Sequence, residues 1–363
     1  MPEWVDLTSV WIPKLSGWSF VRPIKITEQS GNNLSDYQVL IELNSSNFDF
    51  SKAKSDGSDI RFLLPSGKSI PYWIESWDKS GQNAKVWVKV PSLPANSSTV
   101  IYMYYGNPSA TDESNGDAVF EFFDDFEDGS LDTTKWDVST YSSAWHYAEE
   151  NGYLKLWRDS GAYVGDYDYG VIVSSKDTFS YNRKFITRFK ILKPGTVPAT
   201  TSTDVFYGER TYIGLSDKSG CSLWTQSNYI IAINYLACTS CADGEAGSTL
   251  AMKKSGTAKG IGFIKGDNND NIVNLSYVIK WLSNKIVFEF EDEGGSGTIV
   301  ISSPYTETDT SYIPTTSLYW VFENSVLNDK AKNYPTELYA YYFAVAKLTD
   351  PEPTYTVYPE IWL

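Results

Sequence analysis

Three glutamates at alternate positions are the residues of this chain whose spacing could do chemistry. The sequence VFEFEDEGG contains Glu289, Glu291 and Glu293. Alternate side chains of a β-strand share one face about 7 Å apart, so Phe288 and Phe290 take one face and the carboxylates the other. Paired carboxyl groups are what hydrolysis of a glycosidic bond requires. The pattern is also typical of a solvated strand face, in a hairpin whose first arm is 274–281.

A cluster of carboxylates follows an apolar run near residue 120. The segment 119–136, VFEFFDDFEDGSLDTTKW, passes from alternating apolar residues into acidic residues and then a Gly-Ser turn. Calcium binds six to eight oxygens from carboxylates and carbonyls. This cluster, which contains Asp124, Asp125 and Asp128, could therefore supply calcium ligands, and we expect no other cofactor. Two more acidic pairs are alternatives: Asp166 with Asp168, and Asp267 with Asp270.

Aromatic residues beside amides form a third constellation. Trp224 lies close in sequence to Gln226 and Asn228, and further aromatic residues, including Trp145 and Tyr167, lie in turn-rich sequence. Neutral sugars are held by stacking on aromatic rings together with hydrogen bonds from groups such as amides. These five residues are the predicted ligand-binding residues. The alternative for each is a role in the core or in hairpin packing.

The composition sets the class of protein and excludes several functions. The chain has 363 residues, so two domains are expected, and aromatic residues reach 15% of it. The formal net charge of -15 opposes binding to nucleic acid or to an anionic membrane, because both require a positive field. No stretch approaches the roughly eighteen apolar residues of a membrane span, so membrane insertion is not expected.

Cysteine and histidine are scarce, which limits metal chemistry. The three cysteines are Cys221, Cys238 and Cys241, and the one histidine is His146. One local disulfide with one free thiol is compatible with this set. A zinc site is not, because a CxxC pair with one distant cysteine lacks a fourth ligand.

The first fifteen residues differ from the rest of the chain. Residues 1–15, MPEWVDLTSVWIPKL, are apolar without a clean amphipathic period. This extension could pack on its own domain, or it could pair as a donor strand with another copy of the protein. No basic region followed by an apolar region opens the chain. This pattern is compatible with an exported protein whose signal peptide has been removed. It is also compatible with a protein that is made without a signal peptide, as a virion protein is.

Short runs with strand character, separated by turn residues, fill the chain beyond this extension. Six runs predict strands at 20–26, 37–43, 60–64, 70–77, 84–90 and 99–105. They indicate a small antiparallel β-sandwich. Eleven or more further runs follow without a helical period, which suits a larger jelly roll of two sheets. The predicted fold class is all-β, with domains at 16–112 and 119–363.

Six segments of the smaller domain resemble a known family in order and spacing. They are GWSFVRPIKI, LSDYQVLIEL, GSDIRF, PYWIESWD, VWVKVPSLPA and IYMYYGNPSA. The chain resembles here the domain of unknown function numbered 2341, which occurs in extracellular and surface proteins of archaea and bacteria. The resemblance covers about 16–112. It implies an accessory β-sandwich and supplies no catalytic residues.

The two ends of the larger domain resemble concanavalin A-like lectin and glucanase domains. The resemblance lies in the opening FFDDFEDGSLDTTKW and the closing YYFAVAKLTDPEPTYTV. Domains of this kind often hold one structural calcium near their paired terminal strands, so the resemblance implies Asp124 or Asp125 as its ligand. Retaining glucanases of this fold carry Glu-x-Asp-x-Glu on a strand, with the outer glutamates as nucleophile and acid. Glu291 departs from that motif, because aspartate is usual at its position.

These patterns favour a non-catalytic protein over an enzyme. We expect an extracellular or cell-surface protein that binds glycans or glycoproteins, or mediates adhesion, through the concanavalin A-like domain. One alternative is a structural or receptor-binding subunit of a virion or an extracellular filament, which associates with copies of itself through 1–15. A second alternative is a glycoside hydrolase that uses Glu289 and Glu293.

Overall fold

The structure of the protein is a computed structural model, and it consists almost entirely of β-strands. It describes residues 12–160, 170–192, 209–220, 227, 230–236, 247–255, 257–266, 272–294, 303–326 and 336–363. Helix in these ranges is limited to α1 (Gly116–Val119) and a 3-10 turn at Phe50–Lys52. The predicted all-β class with antiparallel sheets is confirmed.

The chain divides into two compact units. The first unit runs to Phe123 and also includes Ala346–Leu363, and the second unit is Asp124–Val345. Strands β7 (Phe122–Asp124) and β21 (Glu337–Lys347) carry the chain across the two boundaries.

The first unit is a sandwich of two antiparallel sheets. Its strands before the second unit are β1 (Phe20–Thr27), β2 (Leu34–Asn44), β3 (Arg61–Leu63), β4 (Tyr72–Asp78), β5 (Asn83–Leu93) and β6 (Ser98–Tyr105). One sheet has the order β2-β5-β4, and the other contains β1-β6-β3. Alternate residues of both sheets, such as Ile24, Ile101, Ile41 and Val86, form one buried core. The six predicted strands are therefore present.

The end of the chain returns to the first unit. Strands β22 (Thr354–Val357) and β23 (Ile361–Trp362) both pair with β1, in registers such as Ile24 opposite Val357. An unpaired edge strand exposes backbone N–H and C=O groups, and these two strands satisfy that edge of β1. The structure differs here from the predicted domain at 119–363, because residues 346–363 belong to the first unit.

The N-terminal segment, from residue 12 onward, packs on its own unit. Ile12 and Leu15 lie on a small apolar cluster that includes Tyr102 and Tyr104. The Tyr104 hydroxyl donates a hydrogen bond to the carbonyl oxygen of Pro13. Of the two possibilities stated for 1–15, residues 12–15 follow the first, although they form no strand. Residues 1–11 lie outside the described part of the chain.

The second unit contains two large sheets. Its remaining strands are β8 (Trp136–Thr140), β9 (Trp145–Glu150), β10 (Tyr153–Arg158), β11 (Val171–Phe179), β12 (Arg183–Leu192), β13 (Glu209–Ser216), β14 (Ile230–Leu236), β15 (Gly247–Lys254), β16 (Thr257–Gly266), β17 (Ile272–Trp281), β18 (Ile286–Asp292), β19 (Tyr305–Glu307) and β20 (Leu318–Val326). The eight-stranded sheet has the order β19-β18-β17-β12-β21-β10-β9, and β7 also pairs with β21. The seven-stranded sheet has the order β16-β15-β14-β13-β20-β11-β8.

Aromatic rings from both sheets meet in the core of the second unit. Trp320 of the seven-stranded sheet stacks on Phe343 of the eight-stranded sheet, with ring centroids 4.3 Å apart, and Phe185 lies 6.1 Å from Trp320. All three side chains are fully buried.

Candidate functional site

The three glutamates lie where strand alternation places them. In β18, Phe288 and Phe290 are buried, whereas Glu289 and Glu291 lie on the opposite face. β18 pairs with β17 as an antiparallel hairpin, so the predicted hairpin arm is confirmed. Glu293 follows the end of the strand.

Two of these carboxylates have partners of their own on the neighbouring strand. The Glu289 carboxylate lies 2.6 Å from Nζ of Lys280, and Glu293 accepts a hydrogen bond from the Ser276 hydroxyl. The backbone of Glu293 also exchanges hydrogen bonds with Asn274, at 3.0 Å each. These contacts tie the hairpin together, as expected of a solvated strand face.

The predicted calcium ligand Asp124 fixes the turn that follows β7. Its carboxylate accepts hydrogen bonds from Nε1 of Trp136 at 2.7 Å and from the backbone N–H of Phe126 at 3.0 Å. Burial raises the pKa of Asp124, although these two hydrogen bonds act to lower it. Among the described residues no group of three or more acidic, histidine or cysteine side chains has the arrangement of a metal site. Calcium at Asp124 or Asp125 stays a prediction.

The five predicted ligand-binding residues fall into two groups. Trp145 lies in β9 and is only 3% exposed, with the Arg158 guanidinium 5.7 Å from its ring centre. That ring is packed inside the unit and does not present a surface to a ligand. The remaining four lie outside the described residues; they are Tyr167, Trp224, Gln226 and Asn228.

A different set of aromatic side chains lies on the outward side of the eight-stranded sheet. In β10 and in the first five residues of β21, Leu154, Leu156, Leu338 and Ala340 are fully buried, and the residues that alternate with them are partly exposed. The alternation ends there, because all residues from Tyr342 to Ala346 are buried. β12 lies beside β21 and adds an arginine to the same side. We call this surface the tyrosine face; it consists of Tyr153, Lys155, Trp157, Arg188, Glu337, Tyr339 and Tyr341.

The rings of the tyrosine face pack edge to face. The Tyr153 and Tyr339 centroids are 4.9 Å apart at an interplanar angle of 78°, and Tyr153 and Tyr341 are 6.1 Å apart at 74°. This arrangement is the favourable one for aromatic quadrupoles, and it holds the rings in fixed orientations.

A charged pair lies among these rings. Nζ of Lys155 is 5.0 Å from the centre of Trp157, 5.4 Å from the centre of Tyr339 and 3.1 Å from the Glu337 carboxylate. The Tyr339 hydroxyl also donates a hydrogen bond to Glu337. Burial, followed by this hydrogen bond, raises the pKa of Tyr339, so its phenol stays neutral at physiological pH. The face therefore combines flat apolar rings with oriented donors and acceptors.

The outer end of the tyrosine face is bordered by the one histidine. The His146 ring lies 5.3 Å from Trp157, and its Nε2 is 3.1 Å from the Asp159 carboxylate. The inner end is bordered by Arg188, whose guanidinium carbon is 4.9 Å from the centre of Tyr341. The rings thus lie between two basic groups.

The sequence contains a signal for this surface in the alternation of two short segments. YLKLW and ELYAYY place an aromatic or charged residue at every second position, between small or aliphatic ones. That alternation predicts two half-buried strands, and both are present. The alternation does not predict that the two strands are neighbours in the sheet. They are far apart in sequence, because β10 ends at Arg158 and β21 begins only at Glu337.

Comparison with known proteins gives one family match and one curated relative. Residues 56–139 match the family described as Domain of unknown function (DUF2341). The relative is "Uncharacterized protein 562" of Sulfolobus islandicus rod-shaped virus 1, which is 38% identical over 76 residues. That stretch is 20% of this chain and 13% of the relative, so the match spans a small part of each protein.

Solved structures show a distant similarity. One is an endo-beta-1,3-glucanase from Pyrococcus furiosus, with 12% identity and a TM-score of 0.41, over 64% of this chain and 95% of that one. Another is a beta-1,3-glucanase from Mycobacterium marinum, with 14% identity and a TM-score of 0.41, over 62% and 98% of the two chains. Similarity at this level says nothing about the chemistry of the present chain.

Proposed function

We propose that this protein binds glycans without cleaving them, at an extracellular or surface location, and that the tyrosine face is the binding surface. The observation that carries the proposal is the set of partly exposed aromatic rings that pack against one another on β10 and β21. Sugar rings stack their C–H faces on such aromatic surfaces, and nearby charged groups form hydrogen bonds with the hydroxyls of the sugar. Lys155 and Glu337 supply a donor and an acceptor between the rings.

The same surface explains why binding is preferred to turnover. Hydrolysis with retention needs two carboxyl groups about 5–5.5 Å apart across the sugar. Within the tyrosine face Glu337 is the one carboxylate, and it is engaged by Lys155 and Tyr339. Glu289 and Glu293 lie on β18 and just beyond it, and β17 and β12 separate β18 from β21.

A glycan array tests the proposal. Wild-type protein is expected to bind a subset of the array in a saturable way, and Trp157→Ala is expected to lose that binding. Tyr181→Ala is the matched control, because Tyr181 is 40% exposed and is not part of the tyrosine face. An array without signal for the wild type contradicts the proposal, as does equal binding by the two variants. Release of reducing sugar from bound glycans would show an enzyme instead.

A second candidate function is a surface component of a virus particle. The observation that favours it is the viral origin of the relative that shares 76 residues with this chain. Electron micrographs of the purified protein test it, since a particle subunit is expected to form regular polymers. A strictly monomeric protein over a wide concentration range, by sedimentation, counts against this candidate and leaves glycan binding in place.

A further inference from the structure

The arginine of the tyrosine face lacks an acidic partner. Arg188 lies in β12 with its guanidinium carbon 4.9 Å from the Tyr341 ring centre. Its Nε is buried and has no hydrogen-bond acceptor. Among the described residues no carboxylate oxygen lies within 4.0 Å of its nitrogens, which sets it apart from Lys155 on the same face.

A second basic residue follows on the same side of β12. Lys190 is two positions further, so its side chain projects from the same face about 7 Å away. It is half-buried and likewise has no ion pair with any described residue. Across the strand pair, Arg188 lies opposite Ser276, and Lys190 lies opposite Asn274. The acidic residues on this side are Glu289, which pairs with Lys280, Glu291, which lies opposite Ser276, and Glu293, which accepts a hydrogen bond from Ser276.

The charge of the whole chain makes this arrangement informative. The protein has 45 acidic and 30 basic residues, so acidic partners are in excess. Half-burying a basic group without a counter-ion costs free energy, because its hydration is partly lost. Two such groups next to each other, one of them over an aromatic ring, therefore indicate a counter-ion that is not part of the described chain.

The guanidinium of Arg188 lies over the Tyr341 ring, and its buried Nε has no acceptor. A guanidinium that lies over an aromatic ring uses its flat face for that contact. Its N–H groups lie in its plane and point away at the edge. They form a planar fork that matches the two oxygens of a carboxylate or of a sulfate ester. Tyr341 thus holds the fork in place at the border of the aromatic rings.

We infer that the tyrosine face takes an acidic glycan, whose carboxylate or sulfate lies on Arg188 and Lys190 while its sugar rings stack on the aromatic residues. This inference rests on the proposed glycan binding and names the class of glycan. Charge-assisted hydrogen bonds contribute more than neutral ones, so the acidic group is expected to strengthen binding roughly tenfold or more.

The test compares matched acidic and neutral polysaccharides by isothermal titration. The probes are polygalacturonic acid with its carboxyl-reduced neutral form, and dextran sulfate with dextran. The variants are Arg188→Gln and Lys190→Gln. Arg183→Gln is the control, because it removes the same charge from the first residue of the same strand. Thermal unfolding of each variant checks that the fold is retained.

The expected result is that wild type and Arg183→Gln bind an acidic probe roughly tenfold or more tightly than its neutral form. Both Arg188→Gln and Lys190→Gln are expected to reduce that preference. A preference within the polygalacturonic acid pair identifies the anion as a carboxylate, and a preference within the dextran sulfate pair identifies it as a sulfate. Equal affinity for acidic and neutral forms overturns the inference, and so does a preference that both substitutions leave intact. Glycan binding with no preference for acid still supports the proposed function, whereas absence of all glycan binding contradicts both.

Discussion

Glu149 gives the second unit a pH dependence that can be measured. Its carboxyl is 8% exposed and accepts a hydrogen bond from the Gly129 backbone at 2.9 Å. Burial, then a hydrogen bond with Asp128, raises its pKa from 4.5 to about 7. The charge of nearby Asp124 also raises the pKa of Glu149. The folded protein therefore holds a proton on this site more tightly than the unfolded chain does.

The sign of the effect follows from that difference in proton binding. Between pH 4.5 and about 7 the folded state binds more protons than the unfolded state, so stability falls as the pH rises through this range. Above about pH 7 the contribution is constant. Glu149→Gln keeps the shape of the protonated group and is expected to flatten this part of the profile. The measurement is the midpoint of thermal unfolding against pH for both proteins, and parallel profiles would contradict the assignment.

For single residues, the sequence predicts which side chains share a strand face but not which side chains they contact. The placement of Phe288 and Phe290 opposite Glu289 and Glu291 follows from strand periodicity alone, and it is confirmed. The pairing of Glu289 with Lys280 needs the register of β17 against β18. Burial of Trp145 needs knowledge of which side of β9 faces the core. The local sequence pattern predicts neither the register of two strands nor the side of a strand that faces the core.

The elements of the second unit are held by rings from both sheets. Phe343 is fully buried between Trp320, at 4.3 Å, and Phe322, at 6.4 Å. Removing such a ring leaves a cavity that the surrounding strands fill only in part. Phe343→Ala is expected to lower the free energy of unfolding by about 3–5 kcal/mol, and Phe343→Leu by less. Denaturant unfolding measures both, and equal stability of the two variants would contradict a tightly packed core.

The C-terminal strands β22 and β23 belong to the first unit, whereas the sequence predicts them within the larger domain at 119–363. Their pairing with β1 joins positions more than 300 residues apart, such as Lys25 and Thr356. Local patterns predict that a strand exists but carry no information on a partner so distant in sequence. The six strands of the small sandwich are predictable because each has its own alternation and flanking turns.

Deleting residues 351–363 tests the role of this return segment. The deletion removes β22 and β23, and with them Glu360, whose carboxylate contacts Lys52 and the Tyr105 hydroxyl. Backbone amides of β1 that pair with β22 are expected to lose protection from hydrogen exchange. Amides of β17 and β18 are expected to keep theirs and serve as the internal control. Unchanged exchange in β1 would show that its edge does not depend on the end of the chain.

At the scale of the whole molecule, the chain forms two compact units built of β-strands, and the family match at 56–139 lies mainly in the first unit. The matched residues end at 139, within the second unit. The tyrosine face lies in the second unit, beyond the matched residues. A function assigned by family alone would therefore overlook the surface to which the structure points. In the part of the chain that the structure describes, no helix is long and apolar enough to cross a membrane.

The affinity of one glycan for wild type and for Tyr339→Ala tests whether the tyrosine face is the binding surface. The glycan is the strongest binder found on the array, and Tyr181→Ala is the control. If the tyrosine face is the binding surface, loss of the Tyr339 ring weakens binding roughly tenfold, and the control binds as wild type does. Wild-type affinity in Tyr339→Ala, with the fold retained, would place the glycan elsewhere on the molecule and contradict the account.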